Sequence, residues 1–231
     1  MNINIYQFID GARQARGLTV IIDVFRAFTV ACYVFRNGAE KIIPVQNVES
    51  ALKLHKDNPG YILTGERFEK KVPGFDFGNS PTQIEKVDFT GKTVVQTTSA
   101  GTWGLVNAKK ASLLITGSFV NADAIIRYIN SINTENISLV AMGYSGKQPA
   151  DEDLFCAEYI KNSLEGKKTD FAFMVKKLKT GSGKRFFKSE NKKHSPPNDF
   201  YLCTQKGIFD FIIKAERDRQ GKIELRKEIV K

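Results

Sequence analysis

The sequence predicts an α/β protein of three layers, with helices on both faces of a mostly parallel sheet. Three observations carry this. Short apolar strands alternate with helical stretches through the first 166 residues, in a β-α-β-α-β order that then returns. The links between them are short. The chain has 231 residues, 42% hydrophobic and 26% charged, values of a globular chain able to bury a core.

The elements follow in order. Leu18 to Asp23 (LTVIID) reads as a buried strand, and Ala27 to Phe35 (AFTVACYVF), apolar all round, as a buried helix stopped at Asn37-Gly38. Lys41 to Val45 is a second strand with Pro44 near its end, Val48 to His55 has helical spacing, and Tyr61 to Thr64 is a third strand. A polar loop runs from Gly65 to Ser80, where Ser80-Pro81 fits a helix start. The rhythm then repeats: strand 93–96, helix 100–108, strand 112–115, helix 121–132, strand 137–142 and a helix over about 151–164. TVIIDVFRAFT lies opposite TVVQTTSAGTW in this second pass. An internal duplication is therefore expected, with repeats at about 18–81 and 92–164 inside a core of residues 1–166. Any α/β chain shows some of this rhythm, so the competing reading is repetition without duplication.

Residues 167–231 are less regular and read as a basic C-terminal appendage packing on that core. Pro196-Pro197-Asn198-Asp199 is expected to start a helix running through Phe200, Cys203 and Ile208, and Ile208 to Lys214 reads as strand-like. Thr180-Gly181-Ser182-Gly183-Lys184 mimics the end of a phosphate-binding loop, but the first glycine that loop requires is Leu178. The net charge of +10 belongs wholly to this segment, because residues 1–166 carry 17 basic and 17 acidic side chains. No nucleic-acid signature accompanies the charge, so it reads as a solvated surface and a nucleic-acid partner is not expected. No apolar run is long enough for a membrane helix, and the N-terminus lacks a basic start followed by an apolar stretch. With Cys32, Cys156 and Cys203 as an odd set of thiols, a cytoplasmic protein is expected. A homodimer is the base-rate expectation for its assembly.

Ligands of parallel sheets sit beyond the carboxyl ends of the strands. That rule selects Asp23 and Arg26 after the first strand, and Glu66, Arg67, Asp76, Asn79 and Ser80 after the third. It also selects Thr97 to Thr102 after the fourth, Ser118 and Asn121 after the fifth, and Tyr144-Ser145-Gly146 with Asp151-Glu152-Asp153 after the sixth. Hydroxyls and free N–H groups at helix starts favour an anion. Arg26 and Arg67 offer forks matched to phosphate or sulfonate oxygens. Asp23, Asp76, Glu152 and Asp153 offer hard oxygen ligands, and carboxylates facing phosphate and arginine point to Mg²⁺. Each group also has a bland reading as a cap, a surface pair or a dipole complement. A zinc site lacks ligands, no Gly-x-Ser-x-Gly elbow exists, and no cysteine opens a C-x₅-R loop.

Several stretches together resemble the 2-phosphosulfolactate phosphatase family. They are IDVFRAFT (22–29), NGAEKIIPV (37–45), GER (65–67), PGFDFGNSP (73–81), GKTVVQTTSAGT (91–102), TGSFVNADA (116–124), EDLFCA (152–157) and PPNDFYLC (196–203). The resemblance implies a Mg²⁺-dependent phosphatase with an α/β/α fold. It would cleave the small anionic ester 2-phospho-3-sulfolactate on the route to coenzyme M. On that reading Asp23, Asp76, Glu152 and Asp153 are catalytic, with Asp23, Asp76 and Asp153 holding the metal. Arg26, Glu66, Arg67, Asn79, Thr97, Thr98, Ser99, Gly101, Thr102, Ser118 and Asn121 would bind substrate. Residues 166–195 match the family poorly, which leaves substrate selectivity open wherever they reach the site. The same chemistry on another small phosphorylated acid, or a non-enzymatic anion- or nucleic-acid-binding protein, are the alternatives.

Overall fold

The structure is a computed structural model that describes residues 1–230. The first strand and helix precede anything the periodicity indicated: β1 (Asn2–Gln7) and α1 (Phe8–Gln14). NINIYQ alternates polar and apolar residues and lies at one edge of the sheet, so it lacks the continuous apolar run of a buried strand. The expected elements follow: β2 (Gly17–Ile22), α2 (Ala27–Arg36), β3 (Lys41–Pro44), α3 (Val48–Asp57) and β4 (Ile62–Arg67). The polar loop then contains a two-residue strand, β5 (Lys70–Lys71), and one turn of helix, α4 (Pro81–Ile84). The second pass gives β6 (Thr93–Thr97), α5 (Gly101–Asn107), β7 (Ala111–Gly117), α6 (Ala122–Ser131), β8 (Asn136–Ala141) and α7 (Asp151–Leu164). The C-terminal segment supplies α8 (Phe171–Thr180), a 3₁₀ turn over Ser182–Phe187, α9 (Pro197–Cys203), β9 (Phe211–Arg217) and β10 (Ile223–Ile229).

All ten strands join one sheet in the order β1-β8-β2-β7-β9-β10-β3-β6-β4-β5. Strands β1, β8, β2 and β7 are mutually parallel, as are β3, β6 and β4. The antiparallel hairpin β9–β10 stands between these two half-sheets. The joins are narrow, two register pairs between β7 and β9 and one between β10 and β3. The described part of the C-terminal segment, residues 167–230, is therefore not an appendage on a finished core. Ile212, Ile213, Ile223 and Leu225 of the hairpin are core residues, and without them the two half-sheets would expose facing edges. Read outward from the hairpin, the order is symmetric: β7-β2-β8 on one side and β3-β6-β4 on the other. Each half-sheet thus has the first strand of one pass between the second and third strands of the other.

Alternating side chains divide the core into layers. Leu18, Val20 and Ile22 of β2 pack with Ile125, Ile129, Cys156 and Ile160 of α6 and α7, whereas Ile21 faces the α2 side. Ile42 and Val94 continue that second layer across the other half-sheet, and Ile43, Leu63 and Val95 pack on the far face against Ala51 of α3. Helix α2 is buried from Ala27 to Phe35, which explains a segment with no polar face. Full burial of a side chain such as Phe28 contributes roughly 1.5–3 kcal/mol.

Candidate active site

Four loops meet at one cleft of about 510 Å³. Two follow the first strands of the two passes, β2 and β6, and bring Asp23, Phe25, Arg26, Ser99 and Ala100. Two follow the third strands, β4 and β8, and bring Glu66, Phe68, Glu69, Asn79, Gly143, Tyr144 and Ser145. Glu152 and Asp153 enter from the first turn of α7, and Arg185 from the 3₁₀ turn of the C-terminal segment.

Asp23 ends β2 and is held from both sides. Its Oδ1 accepts the Ala27 amide at 3.1 Å, capping α2, and its Oδ2 accepts the Gly101 amide at 2.8 Å from the start of α5. Gly101 has no room for a side chain, since a Cβ there would lie 2.9 Å from Asp23 Oδ2 and 3.0 Å from Ala27 Cβ. Asp153 is fixed in the same way, accepting the Val24 amide at 2.7 Å and the Gly143 amide at 2.8 Å. Glu66 accepts the Ser99 and Glu69 amides at 2.7 and 2.9 Å. Glu152 is different, because its Oε2 is buried without any partner, and so is Asn79 Oδ1.

Crowding of acids in a buried place disfavours their charged forms. Burial raises the Asp23 carboxyl to about 6, against the pull of its two amides, and Glu66 and Glu152 add to the rise. Burial also raises Glu152, with Arg185 opposing. Asp153 is pushed well above its ordinary value by burial, then by Asp23 and Glu152. In the free cleft these carboxyls therefore keep their protons to higher pH than ordinary carboxyls do.

Arg26 is buried, and its Nη1 donates to Asp199 and, at 2.7 Å, to the His194 carbonyl. Asp199, fully buried, also accepts from the Ser80 hydroxyl at 2.7 Å and from the amide and hydroxyl of Thr82 at 3.0 and 2.6 Å. Ser80 thus serves Asp199 rather than capping α4.

Of the residues selected from the sequence, Asp23, Arg26, Glu66, Asn79, Ser99, Ala100, Tyr144, Ser145, Glu152 and Asp153 line the cleft, and Gly101 backs it through Asp23. The others are engaged elsewhere. Asp76, expected as a metal ligand, is exposed outside the cleft and accepts the Leu63 amide at 2.8 Å, fastening its loop to β4. Arg67 donates to the Glu66 and Gln46 carbonyls and to the Thr97 hydroxyl, so its fork is satisfied by protein and Thr97 is occupied as well. Thr98 and Thr102 bond each other and close the first turn of α5. The Ser118 hydroxyl pairs with that of Thr29 at 2.6 Å, and the Ser118 amide donates to Asn121 Oδ1 in a capping box. Among these residues Ser118 and Asn121 form the cap. Asp199, Arg185 and Glu69 are site or support residues that the loop rule does not select. Only the Pro-Pro-Asn-Asp segment carried a signal for one of them, and it read as a plain helix start.

No three His, Cys, Asp or Glu side chains among the described residues stand together as a ready cation site. The buried, unpartnered oxygens of Glu152 and Asn79 nevertheless suit a hard cation that keeps much of its own water. No helix among the described residues is long and apolar enough to cross a membrane.

Comparison with known proteins gives the class first: this chain is a phosphoric monoester hydrolase. The family model described as 2-phosphosulpholactate phosphatase matches residues 4–218, and the chain belongs to that family. It is 32% identical to the "Probable 2-phosphosulfolactate phosphatase" of Bacillus subtilis (strain 168) over 221 residues, covering 94% of this chain and 95% of the relative. Proteins of the same description from Clostridium perfringens (strain SM101 / Type A) and Thermotoga maritima are also 32% identical. They cover 90% and 82% of this chain, and 89% and 85% of their own lengths.

Proposed function

We propose that the enzyme hydrolyses 2-phospho-3-sulfolactate to 3-sulfolactate and phosphate, with Mg²⁺ as cofactor, in the cytoplasm and in a route of the coenzyme M type. The observation that carries this is the meeting of four buried carboxylates and two arginines at one cleft of a chain in this family. Glu152, with Asp23 and Asp153 through water, would hold the cation beside Asn79 Oδ1. When bound, Mg²⁺ would neutralise charge on the phosphoryl oxygens.

The chain's own residues perform the rest. Arg26, immobilised by Asp199, presents a fixed positive charge to the phosphoryl group. The Ser99 and Ala100 backbone beside it completes one wall. Asp23, near 6, exchanges its proton close to neutral pH and is placed to take a proton from an attacking water. Three thiols, all buried and unpaired, fit a reducing compartment.

The test is phosphate release from 2-phospho-3-sulfolactate, with Mg²⁺ and with a chelator. Turnover that the chelator abolishes and Mg²⁺ restores supports the reading. No turnover, or turnover indifferent to chelator, rejects it.

A further inference from the structure

The two cleft arginines differ in how they are held. Arg26 is 3% exposed and locked to a carboxylate that is 0% exposed and itself takes three further hydrogen bonds. Arg185 is 20% exposed and pairs with Glu69 alone, at 3.1 Å, with Glu69 27% exposed. Its other nitrogen donates to the Phe25 carbonyl at 3.1 Å, and its guanidinium lies 5.9 Å from the centroids of both the Phe25 and Tyr144 rings. These contacts hold the plane of the fork near the cleft, where its one direct ion-pair partner is Glu69 and its charge also acts on Glu152. Glu69 sits in the β4–β5 turn, where Phe68 and Glu69 both have positive φ, at 52° and 64°. A partly solvated ion pair of this kind is worth little. An entering anionic group can therefore take Glu69's place, with the two-oxygen geometry that an arginine fork matches best.

We propose that Arg185 is a specificity-determining residue: it receives a second acidic group, sulfonate or carboxylate, of a phosphorylated acid, and Glu69 occupies that position until the group displaces it. The proposal deepens the reading above and rests on it for the identity of the substrate. A four-carboxylate interior gives a second acid no other place to settle, because Arg26 faces the phosphoryl group and Arg67 is committed to backbone carbonyls and Thr97.

The experiment compares kcat/KM for 2-phospho-3-sulfolactate and for glycerol 2-phosphate, which carries hydroxyls in place of the acids. The enzymes are the parent, Arg185→Gln, Arg185→Lys and Glu69→Gln, each checked for folding by its thermal midpoint. Arg185→Gln should reduce the preference for the two-acid substrate by at least about tenfold, through KM more than kcat, with part of it restored in Arg185→Lys. Glu69→Gln should lower KM for the two-acid substrate by about threefold by removing the competitor. Equal losses on both substrates, or a Glu69→Gln KM that does not fall, overturn the proposal. Calorimetric binding of 3-sulfolactate in Mg²⁺ buffer separates the two readings. Binding that weakens in Arg185→Gln, without phosphate release from any ester, would sink the phosphatase substrate and keep Arg185's role. Phosphate release with an unchanged substrate preference would do the reverse.

Discussion

The two half-sheets have the same strand arrangement, yet their loops are used differently. The half built on β8, β2 and β7 sends Asp23, Arg26, Glu152 and Asp153 to the cleft, where burial raises the three carboxyls above their ordinary values. The half built on β3, β6 and β4 sends Glu66, Asn79, Ser99 and Ala100, while its remaining polar groups close on themselves. Thr98 bonds Thr102, Arg67 bonds Thr97, and Asp76 fastens a loop. One half therefore supplies three of the buried carboxylates, and the other supplies a wall of amides with Glu66 and the half-buried Glu69. Topology alone does not decide which polar loops carry chemistry; the partners left after local bonding do.

Substitutions can break this contrast. The largest effect is expected from Glu152→Gln, which removes the buried carboxylate whose Oε2 has no partner. Phosphate release should fall by about 10²–10⁴-fold with the thermal midpoint nearly unchanged. Asp199→Ala should act through stability, since it strands the buried Arg26 charge. A loss of roughly 3–5 kcal/mol in denaturant unfolding is expected.

The pH dependence of stability follows from Asp23. Its pKa is about 6 in the fold against an ordinary 3.8, so the native state binds the extra proton. The stabilising contribution is complete below 3.8 and is lost as pH rises through 6. In metal-free protein Asp23→Asn should therefore gain thermal midpoint relative to the parent as pH goes from 4 to 7. A gap that stays flat or moves the other way would show that Asp23 is not strained by its neighbours. The smallest effect belongs to the wall half. Asp76→Ala, which loses one bond to the Leu63 amide, should cost about 0.5–1.5 kcal/mol in unfolding and leave phosphate release within about twofold.

Much of this was legible in the residues. The buried α2, the parallel strands and the loops beyond their carboxyl ends follow from apolar runs and helix starts, and those loops contain Asp23, Arg26, Glu66, Asn79, Ser99, Glu152 and Asp153. What was not legible depends on pairing over long separations. Asp199 gains its meaning only from Arg26, 173 residues away, and Arg185 lies 160 residues from the Phe25 carbonyl it binds. A basic run without periodicity gives no sign that one of its members turns inward. Of the hairpin, part of β9 was legible as the strand-like Ile208 to Lys214, but β10 and the place of both in the sheet were hidden for a related reason: each strand is half polar, and only the gap between two half-sheets makes the apolar residues core.

The most direct test is calorimetric titration of Mg²⁺ into the parent, Glu152→Gln and Asp76→Asn proteins. Binding by the parent that Glu152→Gln weakens at least about tenfold, and that Asp76→Asn leaves intact, is the expected result. Loss of binding in Asp76→Asn with Glu152→Gln unaffected would contradict the placement of the reactive charge in the cleft.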